Sequence, residues 1–233
     1  MDGGKRGPPY LLRVVRMDEV ESKKIIGGDE DRKNAKKKRK KYLRYIGIIL
    51  VLAGIAVVAY PLSTFVVTNR AQDTLRSDWN KVLEKAAKNE SDEKDTKEKW
   101  EPVPAGTALF KLQIPKIGVD AIVVEGTDRE TLKKGPGHIT KTVYPGELGV
   151  CVISGHRTTY GAAFFRLDNL EKGDELIIET AAKKYTYIVF EKMVVYPDET
   201  EFIDETPGYV LALTTCTPVY SARQRLVILA RLK

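Results

Sequence analysis

Reactive side chains are scarce in this chain. It has two cysteines, Cys151 and Cys216, and two histidines, His138 and His156, in 233 residues. No C-x-x-C pair is present, and the Cys and His spacings match no zinc-finger pattern, which argues against a zinc site built from these four. Charge is missing as well: residues 45–69 contain no Asp, Glu, Lys or Arg. The C-terminal part also lacks a basic surplus. Residues 1–44 hold fifteen Lys/Arg against seven Asp/Glu, while the remainder holds twenty-four against twenty-five. The net charge of +7 therefore belongs to an N-terminal arm. A nucleic-acid-binding core would carry its own basic patch, so no nucleic-acid partner is expected.

The uncharged run 45–69 is long enough to cross ~30 Å of hydrocarbon, which takes about 20 apolar residues. A cleaved signal peptide is disfavoured, because forty-four residues precede the run. A buried core helix is the alternative. Lys36-Lys37-Lys38-Arg39-Lys40-Lys41 and Arg44 stand just before the run. The positive-inside rule then predicts a single-pass membrane protein with a cytoplasmic N-terminus and everything after about residue 68 outside.

The organisation follows from this boundary. Residues 1–44 read as a basic cytoplasmic tail and 45–69 as a transmembrane helix that Pro61 kinks or ends. Leu75, Trp79, Val82, Leu83 and Ala86 fall at helical spacing, which predicts an amphipathic helix over 70–88. Residues 89–99 (NESDEKDTKEK) are a charge run with no apolar anchor and read as a solvated stalk, so 70–104 forms an extracellular helix and stalk. From 105 onward short β-rich segments dominate. Strands are predicted at 108–114, 121–125, 149–154, 175–180, 184–196, 209–215 and 225–232, separated by Gly/Pro turn signals. Helical signals are limited to 128–133 and a turn at 164–170. The fold class is mainly β, a closed barrel or sandwich of about 130 residues.

Chemistry concentrates in the last two strands. Val210-Leu211-Ala212-Leu213-Thr214-Thr215 leads to Cys216, a loop follows, and Arg225 opens the next apolar run. A nucleophilic thiol needs a base and a way to stabilise an oxyanion. Arg225 offers the second, and Arg223 shares its parity. His156 offers the first, since it follows the apolar strand Val150–Ser154 through Gly155 and so sits at a rim. His138, inside Gly135-Pro136-Gly137-His138, reads as a hydrogen-bonded loop histidine.

These motifs resemble the sortase family. Ala212-Leu213-Thr214-Thr215-Cys216 with Arg225 nine residues on is similar to the sortase T-L-x-T-C signature and its downstream arginine. Gly155-His156-Arg157 resembles the sortase histidine motif. GHRTTYGAAF and TTCTPVYSARQRL are most similar to class E, with class D next. The resemblance covers residues 105–233. It implies an eight-stranded β-barrel and a cysteine transpeptidase without cofactor. Such an enzyme cleaves an LPXTG- or LAXTG-like sorting signal between Thr and Gly. It passes the acyl group to an amine on a peptidoglycan precursor, attaching surface proteins to the cell wall. By the same resemblance Cys216 is the nucleophile, His156 the acid and base, and Arg225 the oxyanion and substrate ligand. Thr215 and Tyr160 are expected to contact substrate. The sequence departs from the pattern at Ala212, which replaces the usual Thr, and at Val150-Cys151, where relatives often have Asn. Two alternatives stay open: a protease that releases the same acyl-enzyme to water, and a non-catalytic surface domain with a Cys151–Cys216 disulfide.

Overall fold

The computed structural model describes residues 17–88 and 100–233, with side chains from residue 32. The charge run 89–99 lies outside the described residues. The chain divides into two units, Met1–Val57 and Val58–Lys233. The first helix, α1 (Met17–Lys88), contributes to both. Among the described residues, Arg32–Lys88 is the one helix apolar enough to cross a membrane, with a mean hydropathy of 2.4 over its most apolar 18 residues. In the first unit Ile49, Leu50, Val51 and Leu52 are exposed. Apolar side chains left open to this extent on a helix suit lipid better than water.

Pro61 does not end the helix. Ser63 Oγ and Thr64 Oγ1 donate to the carbonyls of Tyr60 and Pro61, at 2.7 and 2.9 Å.

The second unit is a closed barrel of eight strands in the order β1-β2-β3-β4-β7-β8-β6-β5. The strands are β1 (Ala108–Ile114), β2 (Val119–Glu125), β3 (Gly137–His138), β4 (Gly149–Ser154), β5 (Glu175–Glu179), β6 (Lys184–Val195), β7 (Tyr209–Thr217) and β8 (Gln224–Leu232). Seven lie where alternation and apolar runs predict them. The two-residue β3 falls inside what the sequence presents as a turn cluster. Helix α2 (Arg129–Leu132) is capped by Asp128, whose carboxylate accepts from the backbone of Glu130 and Thr131. Helix α3 (Glu201–Glu205) carries three acidic residues in five and gives no apolar signal.

Side-chain parity sorts the core into two layers. Phe110, Leu112, Ile114, Cys151, Ile153, Leu211, Leu213, Leu226, Ile228 and Ala230 fill the barrel. Val150, Val152, Val210, Ala212, Val227 and Leu229 point the other way, into a second cluster with Phe202 and Ile203 of α3. β4, β7 and β8 are therefore covered on both faces. That is why they read as continuous apolar runs rather than alternating ones.

Residues 70–88 of α1 pack on the barrel, with Leu75 and Trp79 in its core cluster. Gln72 fixes the contact. β3 pairs with β2 only at Val124 and Glu125, so the Ile122 backbone has no strand on that side. The Gln72 side chain takes that place: Oε1 accepts from Ile122 N at 2.8 Å, and Nε2 donates to the carbonyls of Ile122 and Lys134 at 3.0 and 2.9 Å. A side-chain amide thereby completes a sheet edge.

Candidate active site

Two of the candidate residues are paired across the sheet, and the third follows the end of the neighbouring strand. β7 and β8 are antiparallel, with Cys216 directly opposite Arg225. Side chains paired in this way have Cβ atoms roughly 5 Å apart. The nine-residue offset read from the sequence is thus a cross-strand pair. β4 and β7 are parallel, with Ser154 opposite Thr214. His156 lies two residues beyond Ser154, and Cys216 two beyond Thr214, so the histidine comes level with the cysteine one strand away. Cys216 and Arg225 have the parity of Ala212 and Val227, the outward face of the barrel. They end the outer layer where α3 no longer covers it.

The backbone around His156 is held from three sides. Thr215 Oγ1 donates to the Gly155 carbonyl at 2.8 Å, and Gly155 N donates to the Thr214 carbonyl at 3.1 Å. Phe164 N donates to the His156 carbonyl at 3.2 Å, folding the following loop back on itself. The Phe164 ring lies so close to Gly155 that a Cβ there would stand 2.6 Å from it. A residue with a side chain at 155 would displace either the ring or the histidine.

Thr215 is 1 % exposed, and its parity points it into the barrel. Its hydroxyl is engaged by the Gly155 carbonyl and positions the histidine segment. Tyr160 stands beside His156, with ring centroids 5.2 Å apart, and lines a groove with it. This groove, about 510 Å³, runs between α1 and the loop after His156, with Thr68, Gln72 and Arg76 on its far wall. Cys216 and Arg225 do not line it. His156 does.

His156 is half-buried, and its Nε2 is buried without a partner. Burial holds its pKa below the usual histidine range by disfavouring the imidazolium. Cys216 is a partly exposed free thiol. Arg225 donates from Nη1 to the carbonyls of Ala222 and Gln224, both at 3.1 Å, which ties the guanidinium to the β7–β8 loop. Arg223 is exposed and lies outside the strand.

Sequence reasoning gave Arg157 no role of its own. It is 4 % exposed. Its Nη1 donates to the Cys216 carbonyl at 3.3 Å and to Thr217 Oγ1 at 3.0 Å, while Nη2 pairs with Asp168 at 2.9 Å. A buried guanidinium thus links the strand end carrying the cysteine to the loop following the histidine. Its place beside His156 was the available signal, but an arginine there reads as surface until the loop is folded.

The other two scarce residues lie elsewhere. His138 is fully buried: Nδ1 faces Glu125 Oε2 at 3.0 Å, and Nε2 faces the Val143 carbonyl at 3.1 Å. Cys151 is a free thiol inside the barrel, its pKa raised by burial. It pairs with Leu211, five residues before Cys216. At about 3.3 Å per residue that separation is far beyond the ~7 Å limit for a disulfide. The bridged alternative is excluded.

This geometry agrees with what comparison with known proteins finds. The Sortase domain family matches residues 112–233. Sortase D of Bacillus subtilis is 32 % identical over 194 residues, 79 % of this chain and 96 % of the relative. Sortase SrtE2 of Streptomyces coelicolor is 31 % identical over 211 residues, 78 % of this chain and 79 % of the relative. The solved structure of a Clostridium perfringens Sortase D5 transpeptidase superposes with a TM-score of 0.57 at 26 % identity, covering 72 % of this chain and 98 % of that one. The chain belongs to the sortase family of cysteine transpeptidases that anchor surface proteins. Relatives of both the D and E types are among those it matches, compatible with the classes its motifs resemble.

Proposed function

We propose that the protein cleaves an LPXTG- or LAXTG-like sorting signal between Thr and Gly and transfers the acyl group to an amine on a peptidoglycan precursor. The observation that carries this reading is the Cys216–Arg225 pair across β7 and β8, with His156 two residues past the end of β4, the strand beside β7. Cys216 Sγ passes its proton to His156 and attacks the threonine carbonyl carbon, and Arg225 donates hydrogen bonds to the resulting oxyanion. His156 protonates the departing glycine amine, the C–N bond breaks, and a thioester to Cys216 remains. The incoming amine loses its proton to His156 as it attacks the thioester, and the thiol is released. Depressed basicity makes His156 a readier donor to the leaving amine once it has taken the thiol proton. Tyr160, beside the imidazole, contacts the peptide.

The domain reading that accompanies this is a basic cytoplasmic tail over 1–44, a transmembrane helix over 45–69, an extracellular helix and stalk over 70–104, and the catalytic barrel over 105–233. The barrel faces the cell exterior, in keeping with the Lys/Arg surplus before the helix.

The test is intact-protein mass spectrometry of the full chain, incubated with a peptide panel that varies the signal. The native protein is expected to gain the mass of the acyl fragment on Cys216, and Cys216→Ala to gain none. An adduct on Cys216→Ala, or no adduct with any peptide, overturns the proposal.

A further inference from the structure

In the unit Val58–Lys233, the last apolar turns of α1 lie against loops of the barrel. Val58, Tyr60, Leu62, Phe65, Val66 and Val67 are each 45–62 % exposed. On the same turns Thr64 and Thr68 are buried, at 7 % and 5 % exposure. Thr68 Oγ1 donates to the Lys133 carbonyl at 2.8 Å. Thr68 also touches the loop that follows His156, since a Cβ on Gly161 would lie 2.9 Å from its Cγ2. Lys133 Nζ sits 5.8 Å above the Tyr160 ring, joining the two loops.

The uncharged run ends at Asn69, and Arg70 is the first charge after Arg44. A run of this length exceeds the ~20 residues that cross ~30 Å of hydrocarbon, so its last turn reaches the headgroup layer, roughly 5–7 Å deep on each side. Thr68 belongs to that turn, and the loops it touches share its depth. Lys134, which is exposed, and Tyr160 are the types of side chain that this layer accommodates, a cation beside phosphates and a phenol at the interface, while Lys133 is paired with Glu130 at 2.6 Å.

We propose that the barrel is seated directly on the outer leaflet, with the loops 133–135 and 160–162 against phospholipid headgroups. The groove beside His156 then opens at the lipid surface. This rests on the membrane reading of the 45–69 run and adds a defined face and depth to it. A substrate held in the same leaflet meets the histidine side of the site at a raised effective concentration, with no excursion into bulk water.

The experiment places single fluorescent probes on the full chain in nanodiscs of phosphatidylcholine and phosphatidylglycerol. Cys216→Ala removes the accessible thiol, and buried Cys151 takes no label. Cysteines are then introduced one at a time by Lys134→Cys, Val66→Cys and Val194→Cys. Val194 lies on β6, three strands round the barrel from β2. With headgroup spin-labelled lipid, the probe at 134 is expected to be quenched several-fold more than the probe at 194. Equal quenching at 134 and 194, with strong quenching at 66, overturns the seating and leaves the spanning helix intact. If the probe at 66 is also unquenched by headgroup and acyl-chain labels, the membrane reading fails and the seating fails with it.

Discussion

Arg225 and Arg223 are two residues apart and share strand parity, yet the fold separates them. Arg225 lies in the ladder opposite Cys216, whereas Arg223 is exposed on the loop before β8. Arg225→Ala is expected to lower kcat by about 100- to 1,000-fold, the scale of losing an oxyanion donor. Arg223→Ala is expected to change it little. Steady-state kinetics on both variants checks this, and equal losses would mean that the guanidinium in use is misassigned. Thr215→Val keeps the shape and removes the hydroxyl that holds the Gly155 carbonyl. It is expected to cost about 1–3 kcal/mol in denaturant unfolding. Its effect on turnover should fall on kcat more than KM, because it displaces His156 rather than the peptide. His156 itself supplies a pH prediction. Its folded-state pKa is depressed by burial, so on acidification the unfolded chain takes up the proton first and stability falls. That stability is fully present above the ordinary histidine range and is lost as pH drops through the folded value. His156→Gln should therefore lose less thermal stability than the native protein between pH 7 and pH 5. An unchanged pH slope would remove His156 from the account of acid sensitivity.

Elements were legible where their physics is local. β4, β7 and β8 announced themselves as apolar runs because both faces are covered, and Asp128 marked the start of α2. β3 was not legible, since two residues paired between β2 and β4 carry no period. The turn Tyr160-Gly161-Ala162 was not legible either. It runs at φ of 49°, 75° and 45°, and two of its three residues are ones that rarely adopt this conformation. The chain there is fixed by Phe164 folding back on Gly155 and by contact with Thr68, neither of which has a sequence pattern. Gly155→Ala tests the first: a methyl 2.6 Å from a fully buried ring is overpacking, expected to cost roughly 1–3 kcal/mol. Because the displacement falls on the residue before His156, turnover should drop further than stability. Gln72→Ala tests the docking of α1. It leaves the Ile122 amide and carbonyl without partners and is expected to speed hydrogen exchange at Ile122 and along α1 after residue 70. Unchanged protection there would show that Leu75 and Trp79 hold the helix without it.

At the scale of the molecule, the candidate residues Cys216, His156 and Arg225 were found because reactive side chains are so few and two of the three lie in one short stretch. The sequence could not say that they would come level, because that depends on the registers of β4 with β7 and of β7 with β8. Arg157 escaped for a related reason, since its value comes from joining the Cys216 carbonyl, fifty-nine residues further along the chain, to Asp168. The central claim is acyl transfer through Cys216, and it separates transpeptidation from hydrolysis at one point, the fate of the thioester. The full chain, reconstituted in vesicles, should be incubated with a sorting-signal peptide with and without a small amine, and the products weighed. The account predicts an amide product that appears with the amine, rises with its concentration and vanishes in Cys216→Ala. Only hydrolysed peptide with every amine tried, or cleavage that persists in Cys216→Ala, would contradict it.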